Sequence, residues 1–242
     1  MHLFYDSARR ALSLLLQGDP DVWQIILLSL RVSGLATLLS VIIGMPVGAL
    51  VGAHRFRLRG LMVALIHTGF AFPPVVIGLF VFMLLARGGP LGNLDILFTP
   101  AAMVFAQAIL AAPYVAGITL AAVQAVPEGV ALQARALGAS WLRGFYMQVR
   151  EARIGLVAAV VAGFGAVISE VGAVMLVGGN IAGRTRVMTT AIVVETRKGN
   201  FATALALGLM LLFLAFVVNI ALTYAQQGRW RSNAVARERH FS

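Results

Sequence analysis

The sequence predicts an all-α membrane protein of about five transmembrane helices. Three observations carry this expectation. The 242-residue chain is 60% hydrophobic and 12% charged, with a mean hydropathy of +0.90; soluble domains carry about twice that charged share. Five long stretches, 32–53, 60–86, 96–127, 154–183 and 199–228, are free or almost free of charge. Within each, apolar residues run on without alternation, the pattern of a helix and not of a barrel strand. A hydrocarbon core about 30 Å thick takes roughly 20 helical residues, so each stretch can cross once.

Before the first span, residues 4–16 read as an interfacial amphipathic helix. The apolar run 12–16 is too short for a cleavable signal, and Asp19-Pro20-Asp21 stands where a small-residue cleavage site belongs. This divides the chain into an extracytoplasmic segment 1–21, a transmembrane domain 22–228 and a basic tail 229–242. Cysteine is absent, so disulfides and thiol chemistry are excluded. The net charge of +10 is almost all arginine, placed between the apolar runs and not along one face. That is flanking charge of the kind that orients a membrane protein, and it does not indicate nucleic acid.

Five spans put Arg55, Arg57, Arg59, Arg135, Arg143, Arg150, Arg153, Arg229, Arg231, Arg237 and Arg239 on one side. The other side holds Arg9, Arg10, Arg87, Arg184, Arg186, Arg197 and Lys198. The excess of positive charge predicts a cytoplasmic C-terminus and an external N-terminus.

The first span carries Gly44, Gly48 and Gly52 on one face, a row that lets another helix approach closely. Gly165, Ser169 and Ala173 make a similar row in the fourth. In the second, Phe72-Pro73-Pro74 removes two backbone donors near the middle and predicts a kink, either lining a pore or buried structurally. Glu170 is the one acid inside an apolar run. Hydrocarbon makes such a charge costly, so it needs the bundle interior and a partner. Arg31 is the candidate for an ion pair, with helix capping or a direct transport role as the other readings. His67 reads as a hydrogen-bonded bundle residue. The stretch 178–185 imitates a phosphate loop, but arginine stands for lysine and no strand precedes it.

Two connections exceed a turn. Residues 124–153 read as two short helices around a break, with Pro127 suited to the start, Gly138 to the interruption and Ser140 to an N-cap. Ala134 and Gly138 are small, as close approach to a partner would require, while Trp141, Phe145 and Tyr146 offer anchors of the type enriched at interfaces. Residues 180–200 form a polar external segment, in which Arg184 and Arg186 are candidate rim contacts for a partner.

The segment Leu132-Gln133-Ala134-Arg135-Ala136-Leu137-Gly138-Ala139-Ser140 resembles the loop of ABC importer permeases, whose pattern is Glu-Ala-Ala, three residues, Gly. Ala134 and Gly138 match; Leu132-Gln133 replaces Glu-Ala, and Arg150-Glu151 replaces a later Leu-Pro. Gly18-Asp19-Pro20, Phe72-Pro73-Pro74-Val75-Val76-Ile77-Gly78, Ser169-Glu170-Val171-Gly172-Ala173 and Gly179-Asn180-Ile181 are similar to the molybdate/tungstate branch, most of all to tungstate permeases.

The resemblance implies a type I importer fold in a bacterial or archaeal plasma membrane. Two copies would form the pore, with two cytoplasmic ATPase subunits holding ATP and magnesium and an extracytoplasmic binding protein delivering the anion. This chain would be a pore subunit without cofactor or catalysis. It further implies that Ala134, Arg135, Gly138, Ala139, Ser140 and Trp141 belong to the coupling helix on the ATPase. Phe72, Pro73, Pro74, Ser169 and Glu170 are the pore or gate candidates. A secondary transporter or channel fits less well, because no repeat relates the spans. A membrane-embedded enzyme lacks a catalytic constellation. Co-purification of an ATPase separates the first class from the other two.

Overall fold

The computed structural model describes residues 5, 6, 9, 13, 20–127 and 129–238, with backbone alone at 131, 222 and 225–238. The amphipathic segment expected over 4–16 lies largely outside the described residues, and the basic tail is described only as backbone to 238. The described residues form helices and no strand: α1 (Pro20–Ala53), α2 (Arg59–Phe70), α3 (Pro74–Leu85), α4 (Pro100–Gln124), α5 (Gly129–Ala136), α6 (Trp141–Glu151), α7 (Arg153–Ile168), α8 (Gly172–Gly178), α9 (Met188–Arg197) and α10 (Phe201–Glu238).

Among the described residues three helices are long and apolar enough to cross a membrane unaided, α1, α4 and residues 201–221 of α10; counting each bent pair, α2 with α3 and α6 with α7, as one span gives up to five. The three unbroken helices overlap three of the five expected spans, and the other two expected spans are not single helices. The stretch 60–86 bends by 101° between α2 and α3, where Pro73 and Pro74 cannot donate to the helical ladder. The stretch 154–183 ends its first helix at Ile168, and α8 begins at Gly172. Gly165, Ser169 and Ala173 therefore share no continuous helix face, and a side chain at Gly165 would meet open space.

At the centre of the bundle lies α4. Met103, Ala106, Ala111, Val115, Thr119 and Val123 along it are sealed from solvent, and α1, α2, α7 and α8 all pack around it. The glycine row of α1 meets this helix as its spacing predicts. A Cβ on Gly44 would lie 2.6 Å from the Ala112 carbonyl oxygen, one on Gly48 would collide with that of Ala116, and one on Gly52 would lie 3.0 Å from that of Leu120. Between membrane helices close packing supplies the contact energy that the hydrophobic effect provides in water. The hydroxyls of α1 are satisfied locally: Ser29, Thr37 and Ser40 each donate to the carbonyl four residues back at 2.7 Å.

Candidate functional site

The two breaks meet. A Cβ on Gly78 would come within 2.5 Å of Ala173 Cα, and one on Gly172 within 2.7 Å of Val75 Cγ2. The absence of side chains there lets the first turns of α3 and α8 run against each other. The start of α3, which follows Phe72 and Pro73 and opens on Pro74, is thus brought beside the turn that follows Ser169 and Glu170. Phe72 is exposed, together with Val75, Val76, Leu79, Phe80 and Met83 of α3. Ser169 is exposed as well, donating to the Gly165 carbonyl at 2.9 Å.

Glu170 does not pair with Arg31: the two form no ion pair, and Arg31 is exposed. Its Oε1 instead accepts from the Ala173 amide at 2.8 Å, three residues ahead, and caps α8. A carboxylate at a helix N-terminus satisfies an otherwise orphaned donor and meets the positive end of the dipole. Thr189 of α9 donates to the Glu170 carbonyl at 2.9 Å, tying the break to the segment 180–200.

Breaking a helix at membrane depth frees carbonyls that lipid cannot satisfy. One helix answers both breaks. Gln107 of α4, buried, donates to the Val167 carbonyl at the end of α7 at 2.9 Å. Tyr114, seven residues along the same helix, donates to the Phe70 carbonyl at the end of α2 at 3.2 Å. Neither was singled out from the sequence. The available signal was a polar side chain within an apolar stretch, since lipid gives such a group no partner.

On the basic side, α5 and α6 form the expected helix–break–helix. Gly138 has φ +85°. Its amide donates to Arg135 O at 2.9 Å and the Ala139 amide donates to Ala134 O at 3.0 Å, the paired bonds of a Schellman end. No atom lies within 4 Å of where its Cβ would be. Within this chain glycine is needed there for its backbone, and the space beside it is open. Ala134 is buried within the chain, and Phe145 packs inward against Ala49, Val123, Val126 and Ala152. Ser140 occupies the N-cap of α6 without a side-chain cap bond. Trp141 lies over His54, ring centroids 4.9 Å apart, and remains 54% exposed. Leu137 at 89%, Leu142 and Tyr146 are also turned outward, as is Arg135.

The segment 180–200 is more than a polar loop. Thr185, fully buried, donates to Gly178 O at 2.6 Å and accepts from the Ile181 amide at 2.9 Å. That hydroxyl closes a turn and cradles no phosphate. Ser29 of α1 accepts from the Met188 amide at 2.9 Å, and Gln24 donates to Gly183 O at 2.8 Å. Arg184 is exposed; Arg186 is half-buried, and its Nε is enclosed without a partner among the described residues. At the far end of α9 the Glu195 carboxyl is held below its ordinary value, first by a hydrogen bond from Asn200 and then by Lys198 at 2.9 Å. His67 of α2 is exposed and stacks on Phe70 at 5.9 Å. Among the described residues no three His, Asp or Glu side chains gather for a metal.

Comparison with known proteins adds the family. Residues 44–231 match the model of the binding-protein-dependent transport system inner membrane component. A probable anion ABC transporter permease protein of Haloferax volcanii is 46% identical over 79% of this chain and 84% of its own length. A tungstate uptake system permease protein of Peptoclostridium acidaminophilum is 39% identical over 94% of this chain and 99% of its own. Among solved structures, an inward-facing methionine ABC transporter superposes with a TM-score of 0.64 at 18% identity, covering 88% of this chain and 98% of that one. This last likeness establishes the type I importer fold.

Proposed function

The chain belongs to the binding-protein-dependent transport system inner membrane components, the permease subunits of ABC importers, and on that premise we propose that its cargo is an oxyanion, tungstate first, carried through a pore built from two copies. The near full-length match to a tungstate uptake permease is the observation that carries the cargo. Molybdate is the second reading, kept by the resemblance of the Ser169–Ala173 and Gly179–Ile181 stretches to that branch as a whole.

ATP is hydrolysed in a separate ATPase subunit, and an external binding protein delivers the anion. The exposed apolar groups Leu137, Trp141, Leu142 and Tyr146 suit α5 and α6 to a groove on the ATPase. From there a push has a continuous path. One residue, Ala152, separates α6 from α7 at a 63° bend, and α7 ends at the break that abuts Phe72-Pro73-Pro74. Closure of the ATPase pair would therefore be delivered to the pore-side junction of the two breaks. The N-terminus faces outward and residues 229–242 face the cytoplasm. Arg184 and Arg186 stand at the rim that the binding protein meets, where charge acts mainly on association rate.

The test is ATPase activity of the reconstituted transporter with its binding protein loaded in turn with tungstate, molybdate and sulfate. Tungstate should stimulate most and molybdate less. Stimulation by sulfate alone would remove the tungstate reading, and no bound ATPase would remove the importer reading.

A further inference from the structure

Near the N-terminal end of α1 a cavity of about 330 Å³ is lined by Pro20, Trp23, Gln24, Leu27, Leu28, Arg31 and Arg184. Arg31 and Arg184 come from segments more than 150 residues apart and face one pocket that no carboxylate lines among the described residues. Asp21, which has a partner of its own, lines a smaller neighbouring cavity with Arg184 and Arg186. Neither Arg31 nor Arg184 spends its guanidinium on a hydrogen bond or ion pair among the described residues. Two guanidiniums without a partner among the described residues at one opening call for an anion, and their planar forks match the paired oxygens of phosphate and carboxylate groups.

The depth of the pocket identifies the source of that anion. From Arg31 to the end of α1 at Ala53, a rise of 1.5 Å per residue gives about 33 Å, close to the hydrocarbon thickness of about 30 Å. His54, Arg55, Arg57 and Arg59 follow at the other edge. Arg31 therefore sits at the level of the lipid phosphates in the leaflet nearer the N-terminal end of α1. Trp23, Leu27 and Arg31, spaced by four, lie on one exposed face of the helix, which continues with the exposed Leu35, Leu38 and Ile42. An indole and an arginine at the boundary above an apolar strip form a lipid contact, with acyl chains along the strip and the headgroup at its top.

We infer that this pocket holds the phosphate of an anionic lipid, gripped by Arg31 and Arg184 with Trp23 beside the glycerol region. The inference does not depend on which anion is transported. The full chain, purified with its ATPase partner, is titrated with phosphatidylglycerol and with phosphatidylcholine of matched acyl chains, and bound lipid is counted by native mass spectrometry. The wild type should retain phosphatidylglycerol over phosphatidylcholine. R31Q and R184Q should each weaken that retention about fivefold, taking roughly 1 kcal/mol per arginine at an anionic surface, while R31K and R184K keep most of it. R87Q, on the same side but outside the pocket, should leave it unchanged.

Equal retention of the two lipids by wild type would overturn the inference even if a glutamine variant failed to fold. So would an R31Q/R184Q double variant that holds phosphatidylglycerol as wild type does. Free tungstate or inorganic phosphate is added as a third arm. Displacement of the lipid by either would make the pocket a site for a free oxyanion and would also overturn it.

Discussion

The segments 124–153 and 180–200 both join helices, both carry arginines and both exceed a turn, yet they spend their side chains in opposite directions. The first turns large apolar groups outward: Leu137, Trp141, Leu142 and Tyr146 are exposed, while its small Ala134 goes in. The second turns polar groups inward, where Thr185, Thr189 and Thr190 are buried and hydrogen-bonded. An apolar surface left bare in this way is suited to burial against another chain. A connection that completes its own chain uses hydroxyls as fasteners, because a small donor-acceptor can close a backbone turn where apolar groups cannot.

This contrast can be broken by substitution. The largest effect should follow Thr185→Val, which keeps the shape and removes a buried hydroxyl that serves both Gly178 and Ile181. Leaving those backbone groups unsatisfied should cost about 3 kcal/mol, seen as a lower unfolding temperature in detergent with the ATPase interface intact. On the other connection, replacing Leu137 and Leu142 by serine should lower affinity for the ATPase about thirtyfold, some 2 kcal/mol, as truncation of interface anchors does. Stability of the isolated chain should stay within about 0.5 kcal/mol. If stability falls instead, those leucines pack within the chain and the contrast fails.

Smaller effects sharpen it. Gly138→Leu should cost about 1–2 kcal/mol through its left-handed backbone alone, and Gly138→Asn, which tolerates that conformation, clearly less. Equal loss of ATPase binding in both would mean that bulk and not backbone decides at this position. The smallest effect concerns Glu195. Its carboxyl is lowered in the fold, so the ties to Asn200 and Lys198 contribute at neutral pH and fade as pH falls below the ordinary value of 4.5. Asn200→Ala should move that loss upward in pH, measurable as hydrogen exchange across residues 195–200.

Much of the scaffold was legible because its signals are one-dimensional. Apolar run length gave the crossings, a four-residue glycine spacing gave the α1–α4 seam, and a double proline gave the bend at Phe72. What escaped depends on partners far apart in the chain. Glu170 looked for a cation because its charge was the visible feature, but the nearest donor is its own backbone once the helix has stopped at Ile168. That stop carries no proline to announce it. Gln107 and Tyr114 could be seen as polar residues in lipid, though the carbonyls they serve belong to α7 and α2. At Gly138 the structure adds a reason the sequence did not show, a positive φ that closes the end of α5.

The seam between α1 and α4 has a mechanical meaning. Gly44, Gly48 and Gly52 seat one helix so deep against the other that sliding or rotation would drive backbone into backbone, and the pair is suited to move as one strut. A machine that alternates between two shapes then has to flex where it is jointed. The interruptions at 71–73 and 169–171 are the places suited to flex, and Gln107 and Tyr114 on the strut hold their free carbonyls.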